Sequence, residues 1–279
     1  MRVSFSVMET GRTKDGLMYE KYGSDSEKPI VIFAGLNVKP NTGYFCDFPR
    51  DAAECFGEAI VVYQEGVSGS LLRTGFFSPG TERRQLNAAL ELVKGKRFVP
   101  VTHSITSILG TKLLDPIFRR ENHAGDALPG VISSMYTSVD DVLFDRDVRR
   151  RILGIDALLL FKVGRYLPIP VPFYPLRDGA AHSRFGVVDA SEIASKWVNT
   201  RSADYCFRSE GLVGSVKPDQ KAIGIVTLQD RITSAEKQAD LYGQLNAEII
   251  PVDSGHRWMA DEESCHTVLC AIAKQLKNC

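Results

Sequence analysis

The feature that most limits the fold is an alternation of short apolar runs with longer amphipathic stretches. The runs at 28–36 and 57–66 are largely apolar, which is typical of strands buried on both faces of a parallel sheet. The stretch at 81–95 places Leu86, Leu90 and Val93 on one helical face and ends at a glycine. Parallel strands need a crossover, and a helix is the usual one. The pattern therefore predicts an α/β fold with a mostly parallel central sheet flanked by helices.

The alternation is interrupted between residues 139 and 217, where helical and proline-rich segments mix, and it returns at 221–230. We therefore expect a core formed by residues 1–138 and 218–279, with an inserted, largely helical cap at 139–217. The insertion contains the run LLLFKVGRYLPIPVPFYPL at 158–176, which is more apolar than a surface loop. We expect this run to face the core, a substrate, or both.

Composition excludes several classes of partner. The chain has 34 basic and 34 acidic residues and a formal net charge of zero, so no nucleic acid partner is expected. No stretch is long and uncharged enough to span a bilayer, and no signal peptide is evident, so we expect a cytoplasmic protein without integral membrane association. The six cysteines show no CxxC spacing and are expected to be reduced thiols. The histidines show no metal-ligand spacing, so neither a metal nor a cofactor is expected.

Three residues with complementary chemistry follow predicted strands. Ser104 comes after the strand at 97–103, Asp230 after the strand at 221–230, and His256 after the last strand. Reactive groups gather where the strands of an open parallel sheet end. A serine hydroxyl needs a base to take its proton, histidine is that base near neutral pH, and a carboxylate fixes the histidine tautomer.

Each of these residues also has a simpler structural interpretation. Ser104 is a good helix N-cap, Asp230 is suited to open a turn, and His256 is suited to pack in a loop. The sequence from Thr233 to Glu236 has the spacing of a capping box, so Asp230 is not needed to cap the next helix. All three residues follow strands and stand in the chain order Ser, Asp, His, which favours a catalytic triad.

The segments around these residues resemble those of the α/β-hydrolase superfamily, and the resemblance covers nearly all of the chain outside the insertion. VTHSITS resembles the nucleophile elbow, IVTLQDRITS the acid-bearing strand end, SGHRWMADE the histidine loop, and VVYQEGVSGS the segment after the fourth strand. The resemblance implies that Ser104 is the nucleophile, Asp230 the acid and His256 the base. It also implies backbone oxyanion donors at Ile105, after the nucleophile, and at Leu36, in the segment FAGLN.

The elbow departs from the family pattern at both of its glycine positions, which Thr102 and Thr106 occupy here. Those glycines allow a strained serine backbone and a close approach of neighbouring chains. We therefore expect the two threonines to crowd the turn.

The sequence thus predicts a serine hydrolase that cleaves an ester or thioester of an apolar small molecule through an acyl-enzyme. An acyltransferase on the same fold is an open alternative, and so is a ligand-sensing receptor that retains the triad but turns over little. Carbon–carbon hydrolysis and lyase chemistry also remain compatible with this scaffold. The sequence does not indicate the oligomeric state.

Overall fold

The fold is described from a computed structural model of the chain, for part of its length. For two short strands only the backbone is described. The described residues are 9–35, 38, 44–64, 77–135, 170–172, 197–199, 205, 209, 211–230 and 233–277.

Within these residues, eight strands form one sheet and two more form a separate antiparallel pair. The sheet strands are β1 (Glu9–Arg12), β2 (Met18–Gly23), β3 (Ile30–Phe33), β4 (Glu58–Val62), β5 (Val99–His103), β6 (Val131–Ser133), β9 (Ile223–Thr227) and β10 (Glu248–Val252). The separate pair is β7 (Pro170–Pro172) with β8 (Trp197–Asn199). The sheet order is β1-β2-β4-β3-β5-β6-β9-β10. β2 runs antiparallel to both of its neighbours and the other pairings are parallel, which confirms a mostly parallel sheet.

Helices cover both faces of this sheet. They are α1 (Phe48–Phe56), α2 (Pro79–Val93), α3 (Ser107–Lys112), α4 (Pro116–Glu121), α5 (Leu212–Ser215), α6 (Ala235–Gln244) and α7 (Glu262–Leu276). Successive side chains of a strand point to opposite faces. On β5, Val101 packs in the cluster that contains α1 and α7 side chains, whereas Thr102 meets α3. By the same alternation, His103 lies on the α1 and α7 face.

The segment at 104–120 is divided in three. A 3-10 turn spans Ser104–Thr106, α3 follows, and α4 begins anew at Pro116. Proline lacks an N–H and disfavours a helical conformation at the preceding residue. Asp115 is accordingly extended, and its carboxylate accepts a hydrogen bond from the Ile117 N–H at 2.8 Å, so it caps α4.

The start of the chain and most of the predicted cap lie outside the described residues. Residues 1–8 lie outside the described residues, and β2 pairs with β1. Most of the predicted cap at 139–217 also lies outside them, including the apolar run at 158–176 except for β7. The strands that flank this insertion, β6 and β9, are parallel neighbours in the sheet. In the part of the chain that is described, no helix is both long and apolar enough to cross a bilayer.

Candidate active site

The candidate nucleophile, Ser104, stands at the carboxyl end of β5 in a strained backbone conformation. Its φ is +57°, in the left-handed region that residues other than glycine rarely adopt. The preceding residue, His103, is still extended, with φ −140° and ψ 139°, and the 3-10 turn follows at once. The chain therefore turns sharply at the serine, as a nucleophile elbow requires. Strain of this kind persists only where the surroundings enforce it.

Thr106 contributes to that enforcement. Its side chain is fully buried, and its Oγ1 accepts a hydrogen bond from the His103 N–H at 3.0 Å. The hydroxyl lies within hydrogen-bond distance of the Phe33 carbonyl, at 3.1 Å, and of the His103 carbonyl, at 2.9 Å. At the second glycine position of the elbow, the threonine therefore ties the turn to the end of β3 instead of only crowding it.

Thr102, at the first glycine position, is accommodated by a glycine on the facing helix. Its Oγ1 donates to the Val131 carbonyl at 3.0 Å, and its side chain projects toward Gly110 of α3. A Cβ placed on Gly110 would lie 2.2 Å from Thr102 Oγ1 and 3.1 Å from its Cβ. The glycine that allows the strand and the helix to approach is therefore Gly110 on the helix, and not the residue at position 102 on the strand.

This contact predicts a loss of stability in Gly110→Ala. Helix propensity alone would favour alanine by about 1 kcal/mol, whereas overpacking a buried contact costs about 1–3 kcal/mol. The added Cβ would lie 2.2 Å from the Thr102 hydroxyl oxygen, which is held by its hydrogen bond to the Val131 carbonyl, so we expect the clash to outweigh the gain in helix propensity and the free energy of unfolding to fall. The midpoint of urea-induced unfolding measures the change.

Two further variants make this test specific. Gly243→Ala lies in α6 with open space around the added Cβ, so it should leave the protein as stable or slightly more stable. Adding Thr102→Gly to Gly110→Ala removes the clashing atoms, so the double variant should lose less stability than the sum of the two single losses. Additive losses would show that Thr102 and Gly110 do not compensate each other.

The candidate acid and base are joined directly. His256 Nδ1 lies 2.9 Å from Asp230 Oδ2, and both side chains are buried. Asp230 follows β9, and its carboxylate also accepts hydrogen bonds from the Thr233 N–H at 3.1 Å, the Thr233 hydroxyl at 2.7 Å and the Thr227 hydroxyl at 3.1 Å. The carboxylate is therefore held on several sides in an orientation that fixes the imidazole.

The predicted capping box at Thr233 is wrong. Ser234 caps α6 by accepting a hydrogen bond from the Lys237 N–H, and Thr233 bonds the candidate acid instead. Gln238, buried on the first turns of α6, donates to the Thr233 carbonyl at 3.0 Å and holds this segment against β9. Sequence reasoning missed Thr233 and Gln238 as supports of Asp230. Threonine and glutamine are common at helix starts, and nothing in the sequence shows that these two hold a buried carboxylate instead.

The loop that carries His256 is anchored on each side of the histidine. The Ser134 hydroxyl donates to the His256 carbonyl at 3.4 Å, and Arg257 Nε donates to the Tyr44 carbonyl at 2.5 Å. The fully buried Trp258 ring packs edge-on against Phe48 with centroids 5.0 Å apart. These contacts hold the histidine over the carboxyl ends of the central strands.

Ser104 and His256 lie in the same part of the molecule without a direct bond. The His256 ring packs at 4.7 Å, centroid to centroid, from the ring of His103, which immediately precedes Ser104. No hydrogen bond joins the Ser104 hydroxyl to His256 among the described residues. Catalytic hydrogen bonds often tighten only when substrate binds.

Of the two expected oxyanion donors, Ile105 is described and Leu36 lies outside the described residues. Ile105 is buried in the 3-10 turn directly after Ser104. The end of β3, just before Leu36, is held by Gln85 Nε2, which donates to the Ala34 carbonyl at 3.1 Å and the Val62 carbonyl at 2.8 Å. Nothing in the sequence pattern of α2 distinguishes Gln85 from a surface glutamine.

Among the described residues, no three histidine, cysteine, aspartate or glutamate side chains are grouped so that they could hold a metal ion.

Comparison with known proteins places the fold. No protein-family model and no curated protein sequence matches the chain. Among solved structures, a soluble variant of monoglyceride lipase from Saccharomyces cerevisiae is 12% identical, with a TM-score of 0.70 over 99% of this chain and 96% of that one. The monoacylglycerol lipase of Paleococcus ferrophilus is 16% identical, with a TM-score of 0.65 over 93% of this chain and 98% of that one.

A third similar structure is the enol-lactonase from Burkholderia xenovorans LB400, which is 12% identical, with a TM-score of 0.58 over 96% of this chain and 100% of that one. At these identities the similarity speaks for the fold and not for the activity. The resemblance found in the sequence is confirmed at that level. The eight-stranded sheet, the sharp turn at Ser104 and the three structural neighbours agree that this chain has the α/β-hydrolase fold.

Proposed function

We propose that the protein is a serine hydrolase that cleaves a carboxylic ester or thioester of an apolar small molecule through an acyl-enzyme. The observation that carries this proposal is the buried hydrogen bond between His256 Nδ1 and Asp230, at the same edge of the sheet as the strained Ser104, which follows β5. A structural N-cap needs no positive φ, and a loop histidine needs no buried carboxylate partner. The simpler interpretations of these residues therefore leave their geometry unexplained.

In the proposed mechanism, Ser104 Oγ attacks the carbonyl carbon while its proton passes to His256 Nε2, the nitrogen not bonded to Asp230. The carbonyl π electrons move to oxygen, and the N–H groups of Ile105 and Leu36 stabilise the resulting oxyanion. The tetrahedral intermediate collapses, and the leaving alkoxide or thiolate takes the proton from Nε2. Water then repeats the sequence on the acyl-enzyme and releases the acid and the free serine.

The names of the structural neighbours support an ester substrate. Two are called lipases of monoglycerides or monoacylglycerols, and one is called an enol-lactonase. We further propose that the insertion at 139–217 forms a cap that supplies an apolar wall over the site. The insertion follows β6, after which Ser134 contacts the His256 carbonyl, and the chain re-enters the sheet at β9, the parallel neighbour that is followed by Asp230.

Transfer of the acyl group to an alcohol or amine uses the same first half of the mechanism and remains the second candidate. Product analysis in mixtures of water and competing nucleophiles separates the two activities. A ligand-sensing role predicts binding of the same apolar compounds with little or no turnover.

An apolar acyl pocket predicts a steep dependence of rate on chain length. Each buried methylene contributes about 0.8 kcal/mol, which corresponds to roughly a fourfold gain in kcat/KM per carbon. We expect kcat/KM for nitrophenyl esters to rise from acetyl to medium-length acyl chains and then level off or fall once the chain outgrows the pocket. Initial rates across the series, corrected for spontaneous hydrolysis of each ester, measure this dependence.

The same series distinguishes failure of the pocket from failure of the activity. A maximum at acetyl would contradict the apolar pocket while leaving ester hydrolysis intact. An absence of turnover for every ester and for matched thioesters would contradict the hydrolase itself and favour the ligand-sensing alternative.

A further inference from the structure

A second histidine, His103, is packed against the candidate base. Its ring is buried, with 1% of the residue exposed, and its centroid lies 4.7 Å from that of His256 at an interplanar angle of 53°. The mechanism proposed above assigns it no role. An ordinary core position next to a polar site does not require histidine, because an apolar ring would fill the same volume without burying polar atoms.

The hydrogen bonds around His103 determine its tautomer. Its Nδ1 lies 3.1 Å from the hydroxyl of Ser133, the residue paired with it across β5 and β6. The Ser133 hydroxyl donates to the Thr102 carbonyl at 3.1 Å. A hydroxyl has a single hydrogen to donate, so Ser133 Oγ accepts from His103, and the proton of the neutral imidazole is on Nδ1.

The other ring nitrogen, Nε2, is consequently an acceptor with an unused lone pair. It is buried, and within the described part of the chain no hydrogen-bond donor reaches it. A buried polar atom without a partner is costly and calls for an explanation. Because the centroids of the two rings are 4.7 Å apart, this nitrogen, which carries partial negative charge, lies close to the His256 ring.

We propose that His103 is a positioning residue for the base: its ring forms one wall against His256, and its unpaired Nε2 favours the protonated form of His256. The inference rests on the proposed function, because the protonated form is the one that exists after Ser104 has given up its proton. Ser133 would act one step further away, by holding His103 in the tautomer that leaves Nε2 free of hydrogen.

The surroundings keep His103 uncharged, as this role demands. Burial lowers the pKa of His103 well below its ordinary value, and positive charge on His256 and Arg257 lowers it further, whereas Asp230 opposes the shift. Among the described residues, these three are the charged or titratable groups whose charge acts on His103. When His256 accepts a proton, its neighbour therefore remains a neutral dipole and does not become a competing cation.

The test measures the pKa of His256 directly, by NMR titration of protein labelled with 15N in its imidazole rings. The His256 resonance is assigned by its loss in His256→Gln, since the chain has five histidines. In His103→Phe the ring wall is kept and the acceptor is lost, so the pKa of His256 should fall. The acidic limb of kcat/KM should move to lower pH by the same amount, with a lower plateau because a weaker base remains.

Two polar variants separate the acceptor from the mere presence of a polar side chain. His103→Gln can place its Oε1 near the position of Nε2 and should keep the pKa of His256 close to that of the parent protein. His103→Asn reaches only as far as Nδ1 and should behave like His103→Phe. An unchanged or raised pKa in His103→Phe, or equal values in the Gln and Asn variants, would overturn the inference.

The NMR measurement of the His256 pKa does not depend on turnover. The proposed role of His103 and the proposed hydrolase function can therefore be contradicted independently. Turnover that survives loss of Ser104, together with the expected fall in the His256 pKa, would remove the proposed nucleophile and leave the His103–His256 coupling. Thermal unfolding of each variant verifies that it is folded. Since three substitutions are compared, the loss of one to misfolding leaves the comparison decisive.

Discussion

Replacing Ser104 with alanine is expected to abolish both turnover and labelling by a fluorophosphonate while leaving the fold intact. Removing the nucleophile of a Ser-His-Asp triad lowers kcat by about 10⁶-fold. The thermal midpoint should stay nearly unchanged, because Ser104 is only half-buried and its hydroxyl makes no hydrogen bond among the described residues. Alanine meets the same backbone strain at φ +57° that serine does. Mapping the labelled peptide of the parent protein should place the fluorophosphonate on Ser104.

Ser107→Ala is the matched control for this experiment. Ser107 stands one helical turn further on, and its buried hydroxyl has no hydrogen-bond partner in the described part of the chain. Its removal should therefore change neither turnover nor labelling. Labelling of a different serine, or turnover that survives Ser104→Ala, would remove the central claim of the proposed mechanism.

Asp230→Asn is expected to lower kcat by about 10⁴-fold with little loss of folded protein. The carboxylate accepts the hydrogen bond that holds His256 with its proton on Nδ1 and its lone pair on Nε2. An asparagine amide can donate to Nδ1, which would leave the proton on Nε2, where it blocks proton transfer from the serine. With the amide nitrogen in the Oδ2 position, the amide oxygen takes the Oδ1 position and still accepts from the Thr233 N–H, so the loop should keep its shape.

Asp253→Asn is the corresponding control, because Asp253 is the exposed carboxylate that follows the neighbouring strand, β10. Its side chain accepts a hydrogen bond from Gln229 Nε2 at 2.8 Å and takes no part in holding His256. Its kcat should equal that of the parent protein. A loss of only two- or threefold in Asp230→Asn would mean that the acid of the site is a different residue.

The sheet and the chain order of the candidate site could be predicted from the sequence because both depend on short, continuous stretches of residues. Buried parallel strands are apolar runs, and the residues that follow them must gather at one edge of the sheet. The hydrogen bond between Asp230 and His256 agrees with that expectation, although the two residues are 26 positions apart. Ser104 was recognised by its place after β5, without the glycines that usually flank such a serine.

Features that depend on contacts between distant segments could not be predicted. Gly110 is six residues after Ser104, and only the packing of α3 on β5 shows that it takes over the role of the glycine that Thr102 replaces. The prediction of a capping box at Thr233 was wrong for a related reason. A threonine side chain can either cap a helix or donate a hydrogen bond to a nearby carboxylate, and the sequence does not show which. A hydrogen bond to the buried Asp230 carboxylate is stronger than one to a backbone N–H.

The exchange of small and large residues between Thr102 and Gly110 restricts the order in which these two positions can change. If Gly110 gains a side chain first, its Cβ collides with Thr102. If Thr102 shrinks to glycine first, the protein passes through a form with glycine at both positions, which costs about 1 kcal/mol of backbone entropy but contains no clash. A stepwise path from this elbow to one with glycine on the strand therefore runs through the loosely packed form, and the reverse path must retrace it. The substitution at position 102 must therefore come before the one at position 110.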